Sequence, residues 1–290
     1  MYDYPDIILY AIPIFALSIF IEAYINFKQN KDLYLLKDSV SSITMGIGSV
    51  FVDLITKMIY LSLFTYIYNN YRIYTFQNTI ISILILNVLV DFIFYWKHRL
   101  AHEIRFMWAS HSIHHSSQKF NLSTALRQEW SGRFLGIFFY LILPFIGFHP
   151  LMILLVQAMS LIYQYWIHTE IIRKMPKWFE FIMNTPSHHR VHHGSNDIYL
   201  DKNHAGVFII WDRIFGTFQK ELSEEKVIFG LTNNIKSFKI WDIASYEWLN
   251  LWKDVSQKDI SLKHRILYLI KSPGWKHDGS GITTKTLQNH

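Results

Sequence analysis

Apolar residues fall into five long runs along this chain, separated by short polar stretches. The first runs from about Ile7 to Phe27, the second from about Val40 to Tyr68, and the third from Phe76 to Trp96. Each is long enough to cross ~30 Å of hydrocarbon as a helix, which takes about 20 residues. Two more runs, about Phe134 to Phe148 and Leu151 to Ile167, are joined by GFHP. That junction is too short for a domain and reads as a tight hairpin. Beyond Ile171 the pattern becomes mixed. Trp178, Phe179, Trp211 and Phe215 are spaced for an amphipathic layer at a membrane surface, and Phe238 to Trp252 is a further amphipathic stretch. The pattern predicts an all-α polytopic membrane protein with about three full spans plus a membrane hairpin. Residues 1–96 form the N-terminal transmembrane helices. Residues 97–290 form a histidine-rich helical region, with the hairpin at about 134–170 and a cap at about 171–290.

The start of the chain holds Asp3 and Asp6 but no Lys or Arg, and no small-residue cleavage site follows the first run, so that run reads as a retained span. Polar residues interrupt the spans at few places. Pro13 and Glu22 lie in the first run. Asp53 and Lys57 lie in the second at a spacing that permits an intrahelical pair. Asp91 lies in the third, seven residues before His98 and nearly on its face. An ionisable residue at membrane depth is a functional candidate by default. Asp91 is expected either to accept an N–H from an imidazole or to hold Arg99 or Lys97, the plainer alternative being a helix–helix hydrogen bond.

The third run ends in histidines. His98 and His102 are four apart, so at about 100° per residue they lie about 40° apart on one helix face. His111, His114 and His115 are spaced so that all three can converge on one point, and His189, His192 and His193 repeat the HxxHH pattern. Neutral imidazole ligates through one ring nitrogen while a neighbour holds the other. Eight imidazoles exceed what one tetrahedral zinc can use, so the spacing points to two metal ions. One HxxxH pair alone is most often packing or a solvated face; the triple pattern has no such explanation. His264, His277 and His290 lack this spacing and read as solvent histidines, and His149 as a turn residue.

Composition narrows the chemistry. The chain is 51% apolar and 17% aromatic, which suits a membrane protein. It contains no cysteine, excluding disulfides, iron–sulfur clusters, haem-thiolate chemistry and thiolate zinc. The net charge of +6 does not call for nucleic acid, because the basic residues flank the apolar runs, where anionic lipid headgroups lie.

HRLAH at 98–102, HSIHH at 111–115 and HRVHH at 189–193 resemble the histidine boxes of the membrane fatty acid hydroxylase and sterol desaturase superfamily. HHSSQKFNLSTALRQ from His114, WIHTE from Trp166, NTPSHHRVHHG from Asn184 and DKNHAGVFIIWDRIFGTF from Asp201 look like its alkylglycerol monooxygenase branch. The resemblance covers roughly Asp91 to Phe218. It implies that two iron ions, held by the eight box histidines with His168 of WIHTE as a ninth ligand, activate O2 and hydroxylate a lipid drawn from the bilayer. Reduction of O2 takes four electrons and oxidation of a C–H bond supplies two, so a separate donor is required, either tetrahydrobiopterin or an electron-transfer protein. On an ether lipid, hydroxylation beside the ether oxygen gives a hemiacetal that collapses to an aldehyde; a sterol or fatty-acyl desaturase or hydroxylase is the nearest alternative. The match to HRxxHE also implies an active-site role for Glu103, whose plainer reading is a surface pair with Arg99 or Arg105. The chain has His204 where the branch pattern has Tyr, an added ligand or a replaced phenol, and His188 is open in the same way.

Two readings from other classes are weaker. A metal transporter needs polar ligands at mid-membrane with an exit route, whereas these histidines gather at one face. A structural zinc scaffold needs fewer ligands in a closed tetrahedral set. Charge sets the expected orientation. Lys28, Lys31 and Lys37 follow the first run, whereas only Arg72 falls between the second and third. The positive-inside rule then puts the N terminus outside and the histidine face in the cytosol. The absence of a retrieval signal in TLQNH favours a bacterial inner membrane over the endoplasmic reticulum.

Overall fold

A computed structural model describes residues 7–288; Asp3, Asp6 and His290 lie outside the described residues. The helices follow the apolar runs closely. Helix α1 is Ile7–Lys28, α2 is Leu36–Tyr71 and α3 is Ile80–Glu103. After α4 (Arg105–His115) comes a polar loop containing one 3-10 turn, Thr124–Leu126. The hairpin is α5 (Gly132–Tyr140) and α6 (Ile142–Ile146), broken at Leu141, followed by α7 (Pro150–Trp166). The remainder carries α8 (Lys177–Ile182), α9 (Pro186–His192), α10 (Ile210–Phe215), α11 (Ile240–Val255), α12 (Leu262–Ile270) and α13 (Thr284–Gln288). Among the described residues there is no strand, only an antiparallel bridge between Gly194 and Phe229. The chain is all-α.

Helices α1, α2 and α3 are long and apolar enough to cross a membrane. Their outward faces are unburied: Phe20, Phe51, Leu54, Ile80 and Ile81 are all exposed. Apolar surface on this scale belongs against lipid, and the protein is an integral membrane protein. Helix α2 has 36 residues, about 54 Å at 1.5 Å per residue, well beyond a hydrocarbon core of ~30 Å. Its surplus lies at the start, where Asp38, Ser39, Ser41 and Ser42 are buried against the histidine region.

The main apolar core joins α2, α3, α5, α6 and α7 through Phe64, Leu86, Val90, Ile137, Tyr140, Leu143, Met152 and Val156. A second cluster, Met45, Ile113, Ile235 and Ile243, seats α11 on α4. Glu22 explains its own place in an apolar helix. Its carboxylate accepts from Tyr34 Oη at 2.6 Å, from Leu122 N at 2.7 Å and from Thr169, tying α1 to the histidine end. The Arg72 stretch lies at the other end, where Ile73 N donates to Phe145 O and Phe76 N to Gly147 O.

Asp53 is bridged across the bundle to Arg133. Two expectations differ from what is observed. Trp211 and Phe215 do not lie on the surface layer: the Trp211 indole donates to Asp91 at 3.0 Å, and Phe215 stacks on Tyr95. Trp178, Phe181, Ile182 and Ile214 are the exposed apolar residues there. The His264 and His277 rings lie 5.2 Å apart, and His277 Nδ1 meets Tyr268 Oη at 2.8 Å.

Candidate metal centre

A single residue brings the first two histidine groups together. Ile104 adopts an extended conformation between α3 and α4, with φ −113° and ψ 117°, and breaks the helix there. The chain turns at that point, so α4 lays His111 and His115 against His98 and His102. Arg105 clamps the turn from the cap: its guanidinium reaches Glu247 at 3.1 Å and Asp254 at 2.7 Å, and its amide donates to Lys271 O.

The nine histidines form two sets. His98, His102, His111, His115 and His192 offer ring nitrogens all within 4.8 Å of one another, as do His114, His168, His189 and His193. The HxxHH groups therefore do not each converge on one point. At 100° per residue, His111 and His115 lie about 40° apart and His114 stands about 100° from His115, so α4 feeds both sets. Helix α9 does the same, sending His192 to one set and His189 and His193 to the other.

The outer ring nitrogens are held. His98 Nδ1 donates to His204 O at 2.7 Å and His192 Nδ1 to Lys202 O at 2.9 Å. His114 Nδ1 donates to Arg127 O at 3.1 Å and His168 Nδ1 to Gln164 O at 2.8 Å. A carbonyl only accepts, so in each neutral ring Nδ1 carries the proton and Nε2 presents a lone pair. His102 Nδ1 lies 3.2 Å from Asp201 Oδ1 and His111 Nδ1 lies 3.4 Å from Glu129 Oε2, the carboxylate–imidazole pairing found behind metal ligands.

These tautomers create a conflict that a cation resolves. His114 Nε2 and His168 Nε2 face each other at 3.2 Å, both as lone pairs; His189 Nε2 stands 2.9 Å from His168 Nε2, and its buried Nδ1 has no hydrogen-bond partner among the described residues. In the other set, His111 Nε2 is 2.9 Å from His98 Nε2 and 3.2 Å from His115 Nε2. Two lone pairs at that distance repel unless a cation lies between them. Burial, and next the neighbouring imidazoles, hold His114, His115, His189, His192 and His193 well below the usual histidine range, and burial pushes His168 down to about 4. A proton is therefore a poor candidate for that cation. A metal about 2.1 Å from two imidazole nitrogens places them about 3.0 Å apart at a right angle and about 3.4 Å apart at the tetrahedral angle, the spacing seen here. Buried Nε2 atoms of His102, His192 and His193 have no hydrogen-bond partner among the described residues. An all-nitrogen donor set of this kind suits iron or zinc.

Asp91 stands apart from the rings. Its carboxylate accepts from Val207 N at 2.7 Å, Phe208 N at 2.9 Å and the Trp211 indole, not from an imidazole, Arg99 or Lys97. Asp212 accepts from His204 N and Ala205 N at 2.7 and 2.8 Å. Together they pin the 201–208 loop whose carbonyls orient His98 and His192. Gly206 permits the approach, since a Cβ there would sit 2.8 Å from Asp91 Oδ1. Glu103 pairs with Arg99 at 2.8 Å and its side chain is 43% exposed, on neither set. His188 packs on Phe218 away from both sets. The ring of His204 lies 5.0 Å from that of His102, with a buried Nδ1 that has no partner among the described residues.

Two residues of the site are not signalled by spacing. Glu129, behind His111, would be raised by burial alone, yet His111 and then Lys97 and Arg133 hold it down to about 2. Arg127 is fully buried; it binds Asp38, Ser42 Oγ and Ser116 Oγ with its side chain while its carbonyl orients His114. The only cue to either is a polar segment set between histidines and an apolar run.

Cavities reach the histidines from two sides. One of about 260 Å³ lies among α1, α2, α3 and α7 and touches His98, His111, His114, His168 and His189. Another, of about 370 Å³, lies under the cap and touches His102, His115, His192 and His193. The two share no histidine, so the centre forms a partition between them.

Residues 83–217 match the fatty acid hydroxylase family. Over these residues the chain is similar to that family. It is 38% identical over 283 residues to alkylglycerol monooxygenase of Homo sapiens, covering 94% of this chain and 61% of that protein. It is 35% identical over 281 residues to the Xenopus tropicalis enzyme of the same name and 36% over 279 residues to that of Danio rerio, in each case across 94% of this chain and 60% of the relative. The chain thus spans about three-fifths of the length of these relatives. No solved structure matches.

Proposed function

We propose that this protein is a di-iron membrane monooxygenase that hydroxylates a lipid, with an alkylglycerol ether as the substrate class. The observation that carries the reading is the facing pair of Nε2 lone pairs on His114 and His168, repeated between His98 and His111, at the buried end of a membrane bundle. His98, His102, His111, His115 and His192 would hold one iron, and His114, His168, His189 and His193 the other. Bound there, iron supplies O2 activation, with the balance RH + O2 + two electrons + two protons giving ROH and water. The chain's own part is positioning. The membrane-side cavity brings the lipid against histidines of both sets, Glu129 and Asp201 fix two rings from behind, and the packed helices exclude bulk water.

Because the histidines divide the two cavities, substrate and electrons arrive from opposite faces. The cap cavity gives tetrahydrobiopterin or a separate electron-transfer protein its access to the centre. The positioning of the Lys28–Lys37 loop at the histidine end and of Arg72 at the other supports a cytosolic histidine face and an external N terminus. The ether-lipid reading is supported by the names and near-complete coverage of this chain by its relatives. It is tested by supplying iron-loaded protein with 1-O-hexadecylglycerol, O2 and a tetrahydropterin, then measuring hexadecanal and glycerol. No aldehyde with that donor or with a reduced ferredoxin, in protein that holds two irons, overturns the ether substrate.

A further inference from the structure

The membrane-side cavity continues into a second one of about 340 Å³, whose walls include Ile7, Val90, Leu151, Leu154 and Leu155 as well as Lys57, Tyr60 and Gln157. Asp53, Lys97, Arg133 and Gln164 line both compartments. An alkyl chain needs no polar contact, so a passage built for hydrocarbon alone has no use for this collar. Its position is specific: Lys97 adjoins His98, Gln164 precedes His168 by one helical turn, and Glu129 lines the inner compartment behind His111. Arg133 is bridged to Asp53. The Lys97 ammonium lies over the Phe94 ring at 5.4 Å and has no ion-pair partner among the described residues. Charged groups kept at membrane depth are costly and mark function.

We infer that this collar holds the polar end of the substrate, head toward the histidines and tail in the apolar compartment. The carbon beside the head, not one in mid-chain, then faces the two sets. Across the collar and the inner compartment Asp53 and Glu129 match Lys97 and Arg133 in number, Lys57 lining only the outer compartment, so the collar offers both donors and acceptors without net charge. That matches an uncharged, hydroxyl-bearing head better than a phosphate. Lys97 and Gln164 are the specificity-determining residues. The inference rests on the lipid-oxygenase reading for the identity of the ligand but is tested by binding.

The experiment is displacement of a fluorescent lipid from the full chain in nanodiscs by 1-O-hexadecylglycerol and by hexadecyl methyl ether, which keeps the chain and ether but lacks hydroxyls. Hydrogen bonds to charged groups favour the glycerol ether by about ten- to a hundredfold. Lys97→Met and Gln164→Leu should each bring that preference to within about threefold, with methyl ether binding and iron content unchanged. Gln164→Leu keeps the backbone carbonyl that orients His168, so it remains informative if Lys97→Met fails to fold. Equal binding of the two ethers by the wild type, or an undiminished preference in both variants, overturns the collar. Iron content is read separately: head discrimination in protein without iron refutes the oxygenase reading and spares the collar, and two irons without discrimination do the reverse.

Discussion

Replacing Asp91 by Asn tests whether a residue that touches no histidine governs the centre. The carboxylate takes Val207 N–H on Oδ1 and both Phe208 N–H and the Trp211 indole on Oδ2, all in a site 1% exposed. The amide has one acceptor oxygen. Turned toward Phe208 and Trp211, it sets its NH2 against the Val207 amide at what was a 2.7 Å contact. One buried donor is then unpaired, at about 1–3 kcal/mol, and two hydrogen bonds lose their charge assistance, so a total of about 3 kcal/mol is expected. The loop that shifts carries the carbonyls bonded to His98 and His192, both in one set. Loss of outer support for metal ligands costs about ten- to a hundredfold in affinity. The variant should therefore unfold at lower temperature in detergent and lose iron from one site before the other. Calorimetry and competitive chelation check both effects. Wild-type stability together with uniform, undiminished iron affinity would refute the reasoning.

Other substitutions probe the remaining parts. His114→Ala and His192→Ala should each remove metal and activity while the protein still inserts, whereas His277→Ala should change neither; elemental analysis and turnover decide. Glu129→Gln should keep the fold and lower turnover at least tenfold by loosening His111, and full turnover would remove Glu129 from the site. Arg127→Leu leaves Asp38 buried and unpaired, at about 3–5 kcal/mol, and a shift in unfolding below 1 kcal/mol would count against that clamp. His188 is pushed by burial down to about 4. Its folded pKa lies below the unfolded value of 6.5, so the unfolded state takes up the proton first and stability falls as pH drops from about 6.5 toward about 4. Between pH 7.5 and pH 5 the loss is about 2 kcal/mol, and His188→Gln should remove that part of the acid sensitivity.

The spans and the histidines were legible because each rests on a local regularity. Apolar runs of about 20 residues dictate spanning helices, and spacings of three and four on a helix bring side chains to one side. The division of the histidines was not legible from spacing. His111, His114 and His115 sit within five positions, yet the 100° between His114 and His115 sends them to different sets once Ile104 has turned the chain. The partners of Asp91 lie more than a hundred residues downstream, in a loop without periodicity. Glu103 carried a motif match but was drawn to Arg99, an ordinary i,i+4 pair. Glu129 and Arg127 act through tertiary contacts that no local pattern encodes.

The central claim is that the two histidine sets each hold one iron. The most direct measurement is iron per chain after anaerobic reconstitution of folded protein, read beside its Mössbauer spectrum. The account predicts close to two irons per chain in nitrogen-rich environments. Folded protein that takes up one iron or none under those conditions would contradict it.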